Sequence, residues 1–254
     1  MHVHLPDLSG TVLIYLLVFS RVGAMIMLLP NIGEAGIPSR VRLLLALAIS
    51  FCLAPGVAST YHDLAPKTSL ALTMLIAQEV TVGILIGAMA RIIMSSLNVA
   101  GTLIATQTGL AYAQTLDPTQ NTQGASMGNF LSLLGTLMVF LTNLHHLAIG
   151  AVAGSYRMLP PGGTLPTGDM AQLTINLVSN SFALGFQLAA PFLVFGFAVY
   201  AGLGILARLM PQLQIFFVAV PINIACGFLI FLTMLGAMMT IFLNFYATQM
   251  AVFL

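Results

Sequence analysis

The chain has 254 residues, 59% of them hydrophobic and 5% charged, with seven Lys/Arg, six Asp/Glu and a formal net charge of +1. A water-soluble domain carries roughly 25% charged residues, so this composition excludes a hydrated surface over most of the chain. The absence of any Lys/Arg cluster removes the electrostatic case for nucleic acid, and the length suits about six helical spans of roughly 20 apolar residues each.

The first apolar segment covers residues 8–29, interrupted by Arg21 and closed by Pro30. His2, His4 and Asp7 precede it without any Lys or Arg, and more spans follow, so it reads as a retained span rather than a cleaved signal. The turn-rich run PNIGEAGIPSR leads to a second segment, 41–57, which begins beside Arg40 and Arg42 and ends at Pro55-Gly56. The polar link STYHDLAPK leads to a third, 68–97. Residues 98–129 are different: rich in Gln, Thr, Asn and Gly yet nearly uncharged. The Asp117-Pro118 step argues against continuous helix there, and the stretch is too long for a tight connection. A fourth segment covers 130–153, and the Pro-Pro and Gly-Gly pairs of RMLPPGGTLPTGD mark a loop after it. A fifth covers 173–207, where Pro191 predicts a kink. The sixth runs from 215 to the C-terminus, with Pro221 near its start. The expected fold is all-α: a hydrophobic helical membrane protein forming a single integral membrane domain over 1–254. With six spans, Arg40, Arg42 and Arg208 fall on one side and Lys67 and Arg157 on the other, too even a division to orient the chain.

Arg21, Glu79 and Arg91 lie inside apolar segments. An ionisable group at such depth costs several kcal/mol unless paired or hydrated, which marks it for function or for structural pairing. Glu79 is expected to pair with a cation on another helix, Arg21 first. Glu79, Gly83, Gly87 and Arg91 are spaced by four and form a stripe that winds about 40° per step. Gly83 and Gly87 make a GxxxG match, the pattern that lets two helix backbones approach closely in lipid. The match recurs at Gly124 to Gly128 and at Gly150 to Gly154. Cys52 and Cys226 sit in apolar runs and read as buried thiols. His145 and His146 are adjacent and should diverge by about 100° on a helix, unlike metal-binding i, i+4 histidines. GASMG, residues 124–128, formally matches GxSxG, but a polar stretch precedes it in place of the strand that a nucleophile elbow needs. The chain therefore reads as no enzyme, with no cofactor and no metal.

Four stretches in order resemble the FliR family of bacterial type III export gates: RVGAMIMLLPNIGEAGIPSRVRLLLALAIS (21–50), QEVTVGILIGAMARI (78–92), AGTLIATQTGLAYAQTLDPTQN (100–121) and GLGILARLMPQLQIFFVAVPINIACG (202–227). The resemblance implies bent helical hairpins in a hetero-oligomeric gate, with FliP-like and FliQ-like membrane subunits and an FlhB-like protein as partners. It implies a place in the bacterial inner membrane, in the flagellar basal body, among membrane lipid, passing unfolded export substrates. It also implies a channel plug over about 107–122, carried by Gln107, Gly109, Leu110, Ala111, Tyr112, Asp117, Pro118 and Thr119. The near-uncharged composition there suits a wet pore that does not hold a passing chain tightly. Pro38, Arg40, Arg42, Arg208, Pro211, Gln212, Phe216 and Pro221, with Gly83 and Gly87, are expected at helix or subunit joints. Virulence injectisomes use a related subunit. From the residues alone, a small-solute secondary transporter fits the interrupted helices and buried charges, and an assembly factor that lines no channel is a further alternative.

Overall fold

The computed structural model describes residues 8–30, 32–33, 36–61, 68–111, 126–210 and 215–253. Its helices are α1 (Leu8–Leu28), α2 (Ser39–Val57) continued by a 3-10 turn (Ala58–Tyr61), α3 (Ser69–Gln107), α4 (Ser126–Leu141), α5 (His145–Met158), α6 (Thr167–Leu209) and α7 (Ile215–Met250), with a final 3-10 turn (Ala251–Phe253). There is no strand among the described residues. Among the described residues five helices are long and apolar enough to cross a membrane, and the α4–α5 pair, bent by 72°, makes a sixth if it is counted as one broken span.

Three expectations about the elements change. The fourth segment is not one helix: α4 stops at Leu141, and Asn143, in the left-handed region at φ 58°, turns the chain before α5. Asn tolerates that conformation better than most side chains, because its short amide bonds locally. The third helix is longer than its apolar run. It carries ten residues of the polar stretch as far as Gln107, so Asn98, Thr102 and Thr106 are helical, with both Thr hydroxyls bonded to carbonyls one turn back. The fifth is longer too: α6 covers Thr167–Leu209, with Pro191 inside it as expected.

The residues gather into two compact units, one of 1–92, 140–177 and 246–254, the other of 93–139 and 178–245. In the first, α2 packs on α1 and touches α5, and the last 3-10 turn packs on α5. Tyr15 of α1 stacks on Phe51 of α2, with ring centroids 5.6 Å apart. Leu17, Val18 and Val22 of α1, Val82 and Ile86 of α3 and Ala151 of α5 are fully buried. In the second unit, Phe192 of α6 and Phe130 of α4 both approach Phe231 of α7. There α3 crosses α4 at Gly101 and Gly128, where a side chain on Gly101 would collide with the Gly128 backbone.

The apolar residues are not used up in these cores. In its most apolar stretch, α6 is 22% buried and α7 28%. Phe182, Phe186, Val194 and Phe197 of α6 and Leu229 and Leu232 of α7 are exposed. Cys52, expected to be buried, is exposed, and Cys226 is half-buried; both are free thiols. Each follows the face of its helix, which composition alone does not reveal.

Candidate functional site

Two places concentrate polar groups among the apolar helices. The first is built around Arg21, the largest fully buried side chain of the described residues. Its Nε and Nη2 donate to Glu79 Oε2 and Oε1 at 2.6 and 3.1 Å, a two-pronged bond between α1 and α3. Nη1 donates to Ser155 Oγ on α5 at 2.9 Å, and Nη2 also donates to the Leu159 carbonyl at 3.1 Å. The guanidinium carbon lies 3.9 Å from the centre of the Tyr156 ring, a cation–π arrangement. Tyr61, at the end of the 3-10 turn after α2, meets Tyr156 edge-on with ring centroids 6.0 Å apart. Arg21 and Glu79 are both 0% exposed. Arginine suits such a site because its planar fork matches a carboxylate and leaves further N–H groups for neutral acceptors. One side chain thereby ties together α1, α3 and α5.

The neighbouring residue on α3 extends the tie. Gln78 Nε2 donates to the carbonyls of Pro160 and Gly163 at 3.3 and 3.1 Å, and its Oε1 accepts from the Gly162 N–H at 3.2 Å. The loop after α5, with Gly162 at φ 73°, is thus pinned to the same turn that carries Glu79.

The Gly83–Gly87 pair faces α1 within the chain. A β-carbon on Gly83 would strike the Arg21 carbonyl oxygen and come within 2.9 Å of the Ala24 β-carbon. On Gly87 it would come within 2.7 Å of the Met25 carbonyl oxygen and 2.8 Å of the Leu28 β-carbon. Close approach of α1 to α3 is what lets Arg21 reach Glu79. Arg91, expected among the buried charges, is instead exposed. A step of twelve residues turns about 120° from Glu79, and α1 ends at Leu28, beside Gly87.

The second place is the end of α3. Gly109 is buried at φ 76°, a left-handed conformation that terminates the helix. Asn223 of α7, 7% exposed, donates from Nδ2 to the Gln107 carbonyl at 3.2 Å. The Gln107 side chain fills the space that a β-carbon on Gly196 of α6 would need, and the Thr108 side chain fills that of Gly227 of α7. Leu110 and Ala111 follow, half-buried. Tyr112, Asp117, Pro118 and Thr119 lie outside the described residues.

Of the expected joint residues, Arg42 Nη1 donates to the Gly33 carbonyl at 3.1 Å, bracing the turn before α2. Pro38 precedes the first turn of α2 and is exposed, as are Arg40, Arg208 and Pro221. Phe216 falls in the first turn of α7, and Pro211 and Gln212 lie outside the described residues. The His145 and His146 rings do not diverge: at the first turn of α5 their centroids are 4.1 Å apart, and His145 stacks on Phe140. No group of three or more His, Cys, Asp or Glu gathers among the described residues.

One further surface bears on function. Asn180 and Gln187 of α6 are exposed and fall within about 20° of one another around the helix. On the same helix Phe182 and Phe186 are exposed as well, about 100–160° round from those amides. One helix therefore presents both an amide stripe and aromatic rings.

A family model described as bacterial export proteins, family 1, matches residues 12–248. The chain is similar to the flagellar biosynthetic protein FliR of Caulobacter vibrioides, 42% identical over 211 residues that cover 83% of this chain and 84% of that protein. It is similar to the protein of the same name from Bacillus subtilis, 28% identical over 238 residues, 92% and 90% of the two chains. The Yop proteins translocation protein T of Yersinia pestis is 28% identical over 224 residues, 86% of this chain and 84% of that one.

Proposed function

This chain belongs to the bacterial export proteins, family 1, and from that membership we propose that it works as the FliR-type subunit of a flagellar type III export gate. In this reading it joins FliP-like and FliQ-like subunits and an FlhB-like protein in the bacterial inner membrane, at the flagellar basal body. Together they enclose a water-filled path for unfolded flagellar proteins. The family match over residues 12–248, shared with relatives named for flagellar biosynthesis, carries the reading.

Two physical features support it. The apolar faces of α6 and α7 need lipid or other helices as solvent. The amide stripe of α6 needs hydrogen-bonding neighbours or water, since an unsatisfied amide in hydrocarbon costs several kcal/mol. A chain that requires both kinds of neighbour fits a multi-subunit channel better than a lone solute carrier. The virulence reading rests on the Yop-type relative, at 28% identity; the 42% identity to a flagellar relative favours the flagellar one.

No nucleotide-hydrolysing motif is present in the sequence, so in this reading energy comes from partners or from the membrane potential. Residues 107–122 are the proposed plug. Deleting Gly109 to Thr115 in the assembled gate should raise its idle ion conductance at least severalfold in planar bilayers. Conductance equal to that of the parent gate would remove the plug from the account.

A further inference from the structure

The C-terminal carbonyls of a helix have no partner in their own helix, and something else must satisfy them. At the end of α3 that partner is a side chain of α7, the Asn223 amide, bonded to the Gln107 carbonyl. A carbonyl accepts only from a donor, so the amide nitrogen, not its oxygen, faces Gln107. Asn223 and Thr108 are both buried, 7% and 5% exposed. Two glycines complete the arrangement. Gly196 on α6 and Gly227 on α7 leave hollows that the Gln107 and Thr108 side chains occupy. A β-carbon on Gly227 would come within 2.7 Å of the Thr108 β-carbon, and one on Gly196 within 3.3 Å of the Gln107 β-carbon. Gly109 then turns the chain out of the helix at φ 76°.

We propose that Asn223, Gly196 and Gly227 form an anchor that fixes the end of α3 to α6 and α7, and that Asn223 is a positioning residue for the closed channel. The anchor sets the point and direction from which the chain leaves Gly109. It also transmits displacement of α6 and α7 to that point, because the α3 end cannot move without breaking the bond or vacating the hollows. The inference rests on the reading of residues 107–122 as the plug.

The test uses the gate complex purified through this chain and reconstituted in planar bilayers, with idle conductance and subunit composition measured together. Asn223→Leu keeps the branched shape and the number of heavy atoms and removes the donor; it should raise idle conductance at least severalfold at parental composition. Gly227→Ala should do the same by pushing Thr108 out. Adding Thr108→Gly to Gly227→Ala, which vacates the hollow, should bring conductance back toward the parent, a recovery that general weakening of the fold does not give. If Asn223→Leu fails to assemble, the Gly227→Ala complex and its recovery decide the matter. Parental conductance in the Asn223 and Gly227 variants, while the deletion of Gly109 to Thr115 leaks, would overturn the anchor and leave the plug standing. A silent deletion would overturn both.

Discussion

Replacing Arg21 by leucine should cut the amount of this chain in the membrane by an order of magnitude or more, and export with it. The substitution leaves Glu79 at 0% exposure without its cation, and removes the donors bonded to Ser155 and to the Leu159 carbonyl. Breaking a buried pair by deleting one partner costs about 3–5 kcal/mol, because the remaining charge is stranded. That is a large part of the roughly 5–15 kcal/mol that holds a typical domain folded. Removing both charges, as Arg21→Leu with Glu79→Leu, should recover most of the loss, since an apolar pair of similar volume avoids the desolvation cost. Arg21→Lys should fall between, keeping the charge but losing the fork and the contact with the Tyr156 ring. Exchanging the two charges should recover little, because the Leu159 carbonyl would then face a carboxylate, acceptor against acceptor, and the Tyr156 ring would lose its cation. Immunoblots of membrane fractions beside a motility assay read all four variants. Parental levels and export for Arg21→Leu would show that the cluster carries no weight.

Gly83→Leu should be nearly as severe, by a different route. Even one β-carbon at this position collides with the Arg21 backbone, and a main chain in the middle of a helix cannot step aside. Gly83→Ala should therefore destabilise by about 1–3 kcal/mol, the usual range for overpacking. Leucine forces α1 away from α3 and so parts Arg21 from Glu79 as well. The two effects share one contact, so they should not add: a Gly83 substitution should cost less when both charges are already leucines. Gly56→Ala in α2, where an added β-carbon would meet no other described part of the chain within 4 Å, is the matched control and should leave chain levels at those of the parent. A thermal or detergent-challenge assay on the purified complex measures each step. Equal tolerance of alanine at Gly83 and Gly56 would contradict the close α1–α3 approach.

These two sites show what local pattern can and cannot carry. Arg21 and Glu79 stand out because lipid makes a lone charge expensive, and the scarcity of other charges leaves few partners. The small residues at Gly83 and Gly87 announce a close approach but do not say to which helix, and the structure assigns it to α1. Ser155, Tyr156 and Tyr61 gave no signal. Ser155 is 134 residues from Arg21 in sequence, and a serine in a helix is ordinarily spent, as this one also is, on a carbonyl of its own helix. Arg91 shared the four-residue spacing yet is exposed, because that spacing drifts round the helix and α1 is too short to follow it. The break after α4 was visible in principle, since Asn143 is a side chain suited to left-handed backbone, but an apolar run on both sides concealed it. Asn223 and the hollows at Gly196 and Gly227 depend on the register of three helices, which spacing along the chain does not encode.

The helices themselves were legible for a general reason. Runs of apolar residues without charges admit few alternatives to helix in lipid, where every backbone group must be satisfied internally. How far each helix extends was less so. In α3 the polar residues 98–107 continue the helix by bonding Thr hydroxyls back to its own carbonyls, so loss of hydrophobicity did not mark loss of helix.

The most direct test of the whole account is the composition of the intact assembly. Native mass spectrometry of the complex purified in detergent through a tag on this chain should return a single large assembly in which other membrane polypeptides accompany it. A lone monomer, or a complex made of this chain alone, would contradict the proposed gate.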